Sequence, residues 1–596
     1  MAFEEFGQLS KRRKAERAEK TKKKIIIGVV AVLLVVCMIG AGVFTYLRFY
    51  HNSSVSENEQ GKANETPKHE SISDKVIQMF CSTADYKEKC QVTLSNIVSK
   101  TSSAIKVEPK AVVKTAISAA LDELGKATKN IKKFKFQKKE ENDAYEDCKK
   151  LFEDAKEELK DSLKHADKPM HKDDVKARVH DLRTWLSAVI SYQETCVDGF
   201  PDGELKKQMR GALNNTRELV SNSLAVVSQL GSVLSKFGTL GASRHLLSEA
   251  AEGHSMNKDG IPHWIGHEER QLLVNPTVNL VPNVTVAKDG SGNFTTINAA
   301  LAALPEKREG RYFIFIKQGT YEEYVMVIKK MTNITMYGEG SQKTIVTGNK
   351  NFVDGVRTFE TATFAALGEG FIAMSMGFRN TAGPEKHQAV ALRVQADKSI
   401  FVQCRMEAYQ DTLYAQTHRQ FFRGCVIVGT IDFIFGDASS LFQNCLILVR
   451  KPLDNQQNIV TAQGRTDRHE NTGIVLHKCR IQPHPELEPE KTKFKTYLGR
   501  PWKEFSRTIV MESTLTDIIQ TEGWLPWEGD FALKTLYYAE FSNQGPGAAL
   551  TGRVKWPGYK KSISKQEAQG YTVVPFLEGS WVQAAGVPVQ IGFFEA

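Results

Sequence analysis

Residues 399–445 read SIFVQCRMEAYQDTLYAQTHRQFFRGCVIVGTIDFIFGDASSLFQNC, and one short pattern returns in them three times. Ser399-Ile-Phe-Val-Gln-Cys404, Gln420-Phe-Phe-Arg-Gly-Cys425 and Ser440-Leu-Phe-Gln-Asn-Cys445 are each a strand-like apolar run that closes on a cysteine. The cysteines stand 21 and then 20 residues apart. Asn333-Ile-Thr-Met-Tyr337 and Gly473-Ile-Val-Leu-His-Lys-Cys479 carry the pattern to either side. A strand-bearing unit repeated every 20-odd residues marks a solenoid. No helical stretch intervenes, so the expected fold is a parallel β-helix. The period then serves as a ruler, because residues one repeat apart stack on neighbouring rungs about 4.8 Å apart.

The ruler places Cys425 and Cys445 one rung apart, within the Cα separation a disulfide needs, and a bond across the rungs is the expectation. Cys404 and Cys479 have no equally good partner and read as buried thiols. The same ruler aligns polar residues. Asp411 and Asp432 are 21 apart, Gln388 and Gln410 are 22 apart, and all four sit in apolar or aromatic runs. Stacking puts two carboxylates and two amides on one face. Two close carboxylates push their pKa values apart, so one holds a proton while the other stays ionised. That suits a nucleophile beside a general acid, with the amide N–H groups serving an oxyanion. The competing reading is a structural polar ladder inside the solenoid. Tyr497-Leu-Gly-Arg-Pro-Trp502 adds a guanidinium that can pair with a buried Asp or bind an anionic substrate, and an indole that offers a flat face to a sugar ring.

Upstream, the character is helical. From residue 71 to about 240 proline is scarce and apolar residues recur at three and four, as in Tyr145, Cys148, Leu151, Phe152, Ala155 and Leu159. Four long helices with short loops make an antiparallel four-helix bundle the natural architecture. Cys81, Cys90, Cys148 and Cys196 fall in this region, and spacing alone permits three pairings. Residues 241–276 form a linker containing Arg244-His245-Leu246-Leu247 and Arg270-Gln271-Leu272-Leu273. Exposed linkers are where proteases cut.

The N-terminus is an address. Residues 1–24 carry nine Lys/Arg against four Glu, and Ile25–Leu47 holds no charge. About 20 apolar residues span a bilayer, so 25–47 is either a signal anchor or a long signal peptide. The basic tail stays cytoplasmic, a polar stalk runs over 48–70, and the folded part enters the secretory route. Six Asn-x-Ser/Thr sequons, at Asn52, Asn64, Asn214, Asn283, Asn293 and Asn333, agree with that route.

Composition closes other doors. The chain has 596 residues, 41% hydrophobic and 25% charged, as in ordinary globular domains. Half of the net charge of +10 sits in the first 24 residues, and from Val274 onward 35 Lys/Arg face 31 Asp/Glu. No basic stripe is present for nucleic acid. The 14 His are scattered and the β-region has no Gly-x-Ser-x-Gly elbow, so neither a metal, another cofactor nor a serine nucleophile is expected.

Together these strings resemble the plant pectin methylesterases (pectinesterases). The segments that carry the resemblance are Gly319-Thr-Tyr-Glu-Glu323, Gln388-Ala-Val-Ala-Leu392, Tyr409-Gln-Asp-Thr-Leu-Tyr414, Gly429-Thr-Ile-Asp-Phe-Ile-Phe-Gly436 and Tyr497-Leu-Gly-Arg-Pro-Trp502, with Ile431 where the family usually has Val. The resemblance implies a right-handed parallel β-helix over 277–596 that removes methyl esters from homogalacturonan. It implies that Asp432 is the nucleophile, Gln410 the oxyanion stabiliser and Asp411 the proton donor and later base. Gln388, Arg500, Trp502 and Thr358 would contact substrate. The region 71–240 is similar to the inhibitor-like pro-region of longer family members, which implies the pairings Cys81–Cys90 and Cys148–Cys196 and an autoinhibitory bundle. The family's processing motif is a basic pair before Leu-Leu, whereas here His245 or Gln271 fills the second basic position. A glycosidase on the same solenoid would also use two carboxylates. The paired glutamines and the Arg500–Trp502 segment favour acyl chemistry. A non-catalytic inhibitor or wall-binding protein is the alternative from another class.

Overall fold

The computed structural model describes residues 72–100, 108–168, 175–236 and 280–594. The basic tail, residues 25–47, the stalk and the linker with its two R-x-L-L strings lie outside the described residues. No described helix is long and apolar enough to cross a membrane.

Among the described residues, six helices form the N-terminal part: α1 (Ile72–Cys81), α2 (Lys87–Lys100), α3 (Pro109–Ile131), α4 (Lys139–Asp167), α5 (Val175–Asp198) and α6 (Glu204–Lys236). Helix α3 opens on Pro109, which lacks only an N–H that the first turn cannot use. It buries Val112, Val113, Ala116, Ile117, Ala120 and Leu124, the spacing of one helical face. Helices α3 to α6 pack as a four-helix bundle, and the α1–α2 hairpin closes one side. Disulfides join Cys81 to Cys90 and Cys148 to Cys196. The second ties α4 to α5 across 48 residues, a loop whose closure is worth about 4 kcal/mol in the chain-entropy account. Helix α5 is unusual because Leu186, Ser187, Val189, Ile190, Ser191 and Tyr192 are all buried, which covers every face of the helix. One side packs into the bundle and the other lies on the second half of the molecule.

That half is a right-handed parallel β-helix of three sheets, with 11, 7 and 8 strands. The seven-stranded sheet carries the site, and its strands are β1 (Val325–Val327), β2 (Phe364–Ala366), β3 (Leu392–Val394), β4 (Leu413–Ala415), β5 (Ile434–Gly436), β6 (Asn458–Gln463) and β7 (Thr496–Gly499). They pair in that order along the axis, every pair parallel. The 20–21-residue repeat is a register: Phe401 lies opposite Phe422 and Phe422 opposite Phe442, with ring centroids 4.9 and 4.4 Å apart. At Gly436 (φ +128°) a Cβ would lie 1.9 Å from the Ala415 carbonyl oxygen, so the rungs close up there only around glycine.

The expected Cys425–Cys445 disulfide is corrected. Cys404, Cys425, Cys445 and Cys479 are all free, buried thiols. They form a ladder at one corner of the coil. Cys425 Sγ donates to Phe401 O at 3.3 Å, Cys445 Sγ to Phe422 O at 3.6 Å and Cys479 Sγ to Phe442 O at 3.3 Å. In-register stacking holds the Cα atoms about one strand spacing apart but keeps the Cα–Cβ bonds parallel. A disulfide needs them to converge until the Cβ atoms are about 3.8 Å apart.

Candidate active site

Asp411 and Asp432 occupy equivalent corners just before β4 and β5, at φ +64° and +51°. Left-handed corners aim a short side chain out of the coil, and Asp tolerates them better than bulky residues. The register Leu413↔Ile434 puts the two carboxylates one rung apart, and Asp411 N donates to Ile431 O at 3.0 Å. Gln388 and Gln410 sit before β3 and β4 and pair directly in a parallel bridge. Arg500 follows β7. Its Nε donates to Asp432 Oδ1 at 2.9 Å and its Nη2 to Oδ2 at 2.6 Å, a two-pronged ion pair.

Electrostatics separates the two acids. Burial, reinforced by the neighbouring charge of Asp432, pushes Asp411 well above the usual carboxylate range. Burial also raises Asp432, but the charge and hydrogen bonds of Arg500 oppose the rise. The upward shift is the larger for Asp411 and the guanidinium sits on Asp432, an order that favours the proton on Asp411 and the negative charge on Asp432. Gln388 Oε1 is buried beside them with no hydrogen-bond partner.

A cavity of about 410 Å³ gathers Thr358, Gln388, Gln410, Asp411, Asp432, Arg500 and Trp502 on its wall. Every residue singled out for catalysis or substrate contact in the sequence is thus in one place. Thr358 opens a short 3-10 turn, Thr358–Glu360, that leads towards β2. Trp502 meets Phe435 edge-on at 5.9 Å, and Phe435 stacks on Tyr414 at 4.4 Å. Gly464 makes room for the indole, since a Cβ there would lie 2.8 Å from the Trp502 ring.

Other lining residues escaped the sequence reading. Tyr414 and Phe435 each stand three residues after an Asp, a regularity that was legible. Trp527, 4.3 Å from the Arg500 guanidinium, comes from an irregular loop with no repeat to mark it. Most unexpected are the residues from the bundle. Asp147 and Leu151 of α4 and Thr195 and Asp198 of α5 line the same cavity. Thr195 Oγ1 lies 3.2 Å from the Tyr414 hydroxyl, Ser191 Oγ donates to Gln416 O at 3.1 Å, and Arg357 Nε donates to Asp147 Oδ2 at 2.6 Å. The bundle roofs the site. Among the described residues, the one group with metal-ligand spacing is Asp85, Asp467 and His469, which lies outside the cavity and whose Asp85 already pairs with Arg468 at 2.6 Å.

Residues 283–580 match the family described as Pectinesterase, and residues 75–226 match the one described as Plant invertase/pectin methylesterase inhibitor. The chain belongs to the pectinesterase family. The relatives of this pectinesterase carry both halves. It is 50% identical to putative pectinesterase/pectinesterase inhibitor 45 of Arabidopsis thaliana and 48% identical to probable pectinesterase/pectinesterase inhibitor 13 of the same plant, each over the full length of both chains. Among solved structures it is similar to the pectin methylesterase from carrot, at 53% identity and a TM-score of 0.52, covering 53% of this chain and 99% of that one. That match has the extent of the β-helix alone, so the solved carrot chain stands without a counterpart of the bundle.

Proposed function

We propose that the chain hydrolyses the C6 methyl esters of homogalacturonan, giving methanol and de-esterified pectin, with the bundle as its built-in inhibitor. The observation that carries this reading is the unequal acid pair: Asp432 clamped by Arg500, with Asp411 buried one rung away and its carboxyl pushed well above the usual range by burial and by Asp432. An ionised Asp432 oxygen attacks the ester carbonyl carbon. The oxyanion that forms takes N–H hydrogen bonds from Gln410 and Gln388. As the intermediate collapses, the bond to the methoxy oxygen breaks, and that oxygen takes the Asp411 proton and leaves as methanol. The acyl group then sits on Asp432 as an anhydride. Asp411, now a carboxylate, removes a proton from water, and the hydroxide adds to the same carbon. Collapse frees Asp432 as a carboxylate and leaves the galacturonate acid. Trp502 and Thr358 hold the sugar chain.

Catalysis requires the roof to leave. Two disulfides fit an oxidising compartment. The basic tail and residues 25–47 support entry to the secretory route, with the cell wall as destination. Cleavage at one of the R-x-L-L strings would part the halves. The test is methanol release from highly methylated pectin by residues 280–596, beside Asp432→Ala, with new reducing ends counted in parallel. Methanol from the unaltered protein alone, without reducing ends, is the expected result. Reducing ends without methanol would transfer the acid pair to glycosidic chemistry.

A further inference from the structure

Four cations of the β-helix find acid partners only in the bundle, among the described residues; one of them, Arg468, meets Asp85 at 2.6 Å and lines no part of the cavity. Lys329 Nζ lies 3.3 to 3.5 Å from Asp154, Glu157 and Glu158. Arg357 pairs with Asp147, and its Nη1 is 3.6 Å from Asp143. Lys503 Nζ stands 2.7 Å from Asp198 and 3.2 Å from Glu194. Arg419 is different. Asp397 of its own half grips it in two prongs, at 2.9 and 2.5 Å. When the bundle departs, Arg419 keeps a partner and the other four lose theirs.

Two of the four flank the acid pair. Arg357 lines the cavity beside Thr358. Lys503 follows Trp502, with its Nζ 5.1 Å from the indole centroid. Arg357 leads into β2 and Lys503 follows β7, and those strands are five positions apart in the sheet. At about 4.8 Å per strand that is on the order of 24 Å along the axis, with Asp411 and Asp432 between them. Neither Lys503 nor Lys329 is itself on the cavity wall, but Lys503 adjoins the lining residue Trp502, whereas Lys329 follows β1 and adjoins no lining residue. The bundle meets the two flanking cations with carboxylates: Asp147 from α4, and Glu194 and Asp198 from α5. The last two are four residues apart on one helical face.

A methylated galacturonate unit is neutral, and a hydrolysed one is an anion. Resting on the esterase reading above, we propose that Arg357 and Lys503 bind the free carboxylates of de-esterified galacturonate units on either side of the reacting ester. Asp147, Glu194 and Asp198 occupy these positions in the closed chain as stand-ins for those carboxylates. The guanidinium takes a carboxylate in its fork, and the ammonium takes one as a point charge.

The probe is a hexamer of unesterified galacturonate, titrated calorimetrically into residues 280–596. Arg357→Gln and Lys503→Gln each weaken its binding about tenfold, the scale of one charge-assisted hydrogen bond. Lys503→Arg, which keeps the charge, restores most of the loss. Lys329→Gln changes nothing, although it removes an equally strong contact to the bundle. The intact chain binds the hexamer at least tenfold more weakly than the β-helix alone. No binding to the β-helix, equal affinities across the variants, or equal binding by the intact chain would each overturn the proposal. Methanol release from highly methylated pectin by the same unaltered protein reads the esterase assignment separately. Charge-dependent hexamer binding without methanol would sink that assignment and leave the two carboxylate sites standing.

Discussion

The solenoid wears two covers of opposite chemistry. On the 11-stranded sheet, the short C-terminal helices Val573–Leu577 and Ser580–Ala584 bury Val573, Phe576, Leu577 and Val582 against Phe421, Leu441, Val475 and Ile509. Over the seven-stranded sheet and the adjoining edge of the 11-stranded one, the bundle is held by ion pairs and hydrogen bonds: Asp147 to Arg357, Glu158 to His418, Asp181 to Arg419, and Glu194 and Asp198 to Lys503. An apolar seam is part of a core and stays. A polar seam can be rehydrated and resembles interfaces between partners that separate. The first cover completes the fold and the second lies over the site.

The sharpest break of this contrast would be chemistry that survives without the acid pair. Asp432→Asn, assayed as methanol release by residues 280–596, is expected to lose at least 10⁴-fold in kcat, the order found when a nucleophile is removed. Gln410→Ala should lose about 10²–10³-fold, the worth of one oxyanion donor. A loss below tenfold would move the oxyanion contact elsewhere.

The two covers should then fail differently. Leu577→Ala opens a cavity in the apolar seam and should lower the unfolding free energy of the β-helix by about 3 kcal/mol in a denaturant titration. Glu194→Gln with Asp198→Asn leaves Lys503 without a carboxylate, a cost of about 3–5 kcal/mol to the closed arrangement. That double variant should raise methanol release by the uncut chain at least tenfold and leave the β-helix unfolding transition where it was. A shared loss of β-helix stability would erase the distinction between the covers.

The smallest effect concerns pH. His418 Nε2 faces Glu158 at 3.3 Å, its Nδ1 lies 2.8 Å from Gln395 O, and Asp397, Lys329 and the Tyr192 ring surround it. Burial disfavours both charges. Even so, Glu158 and Asp397 hold His418 above its ordinary value, and His418 and Lys329 hold Glu158 below its own. The raised imidazole supports closure below about pH 6.5 and loses that effect as pH climbs through its raised value. The lowered carboxyl supports closure above about pH 4.3 and loses that effect as pH falls through its lowered value. Closure should be tightest between those limits. His418→Gln should shift the melting temperature of the intact chain most in that window, with the shift shrinking as pH rises past neutrality. A shift that is constant with pH would remove His418 from the seam's electrostatics.

Much of this was legible in the sequence. The repeat that stacks Phe401, Phe422 and Phe442 also stacks Asp411 on Asp432 and Gln388 on Gln410, so one ruler reached both the fold and the heart of the site. The same ruler misled at Cys425 and Cys445, because a period reports distance along the axis and says nothing about the direction of a Cβ. The roof was out of reach for another reason. Asp147 and Arg357 are 210 residues apart and Lys503 and Asp198 are 305 apart, and no periodicity links a helix surface to a strand corner across such gaps. Helix α5 did carry a trace: it buries Ser187, Ser191 and Gln193 along with its apolar face, more than one bundle contact requires.

The most direct test of the regulated-site account compares methanol release from highly methylated pectin by the uncut chain and by residues 280–596 at equal concentration. At least a hundredfold greater release by the β-helix alone, suppressed when the separate bundle is added back, is the predicted result. Equal release by the two would show that the bundle leaves the Asp411–Asp432 cavity open to substrate, and would contradict the account.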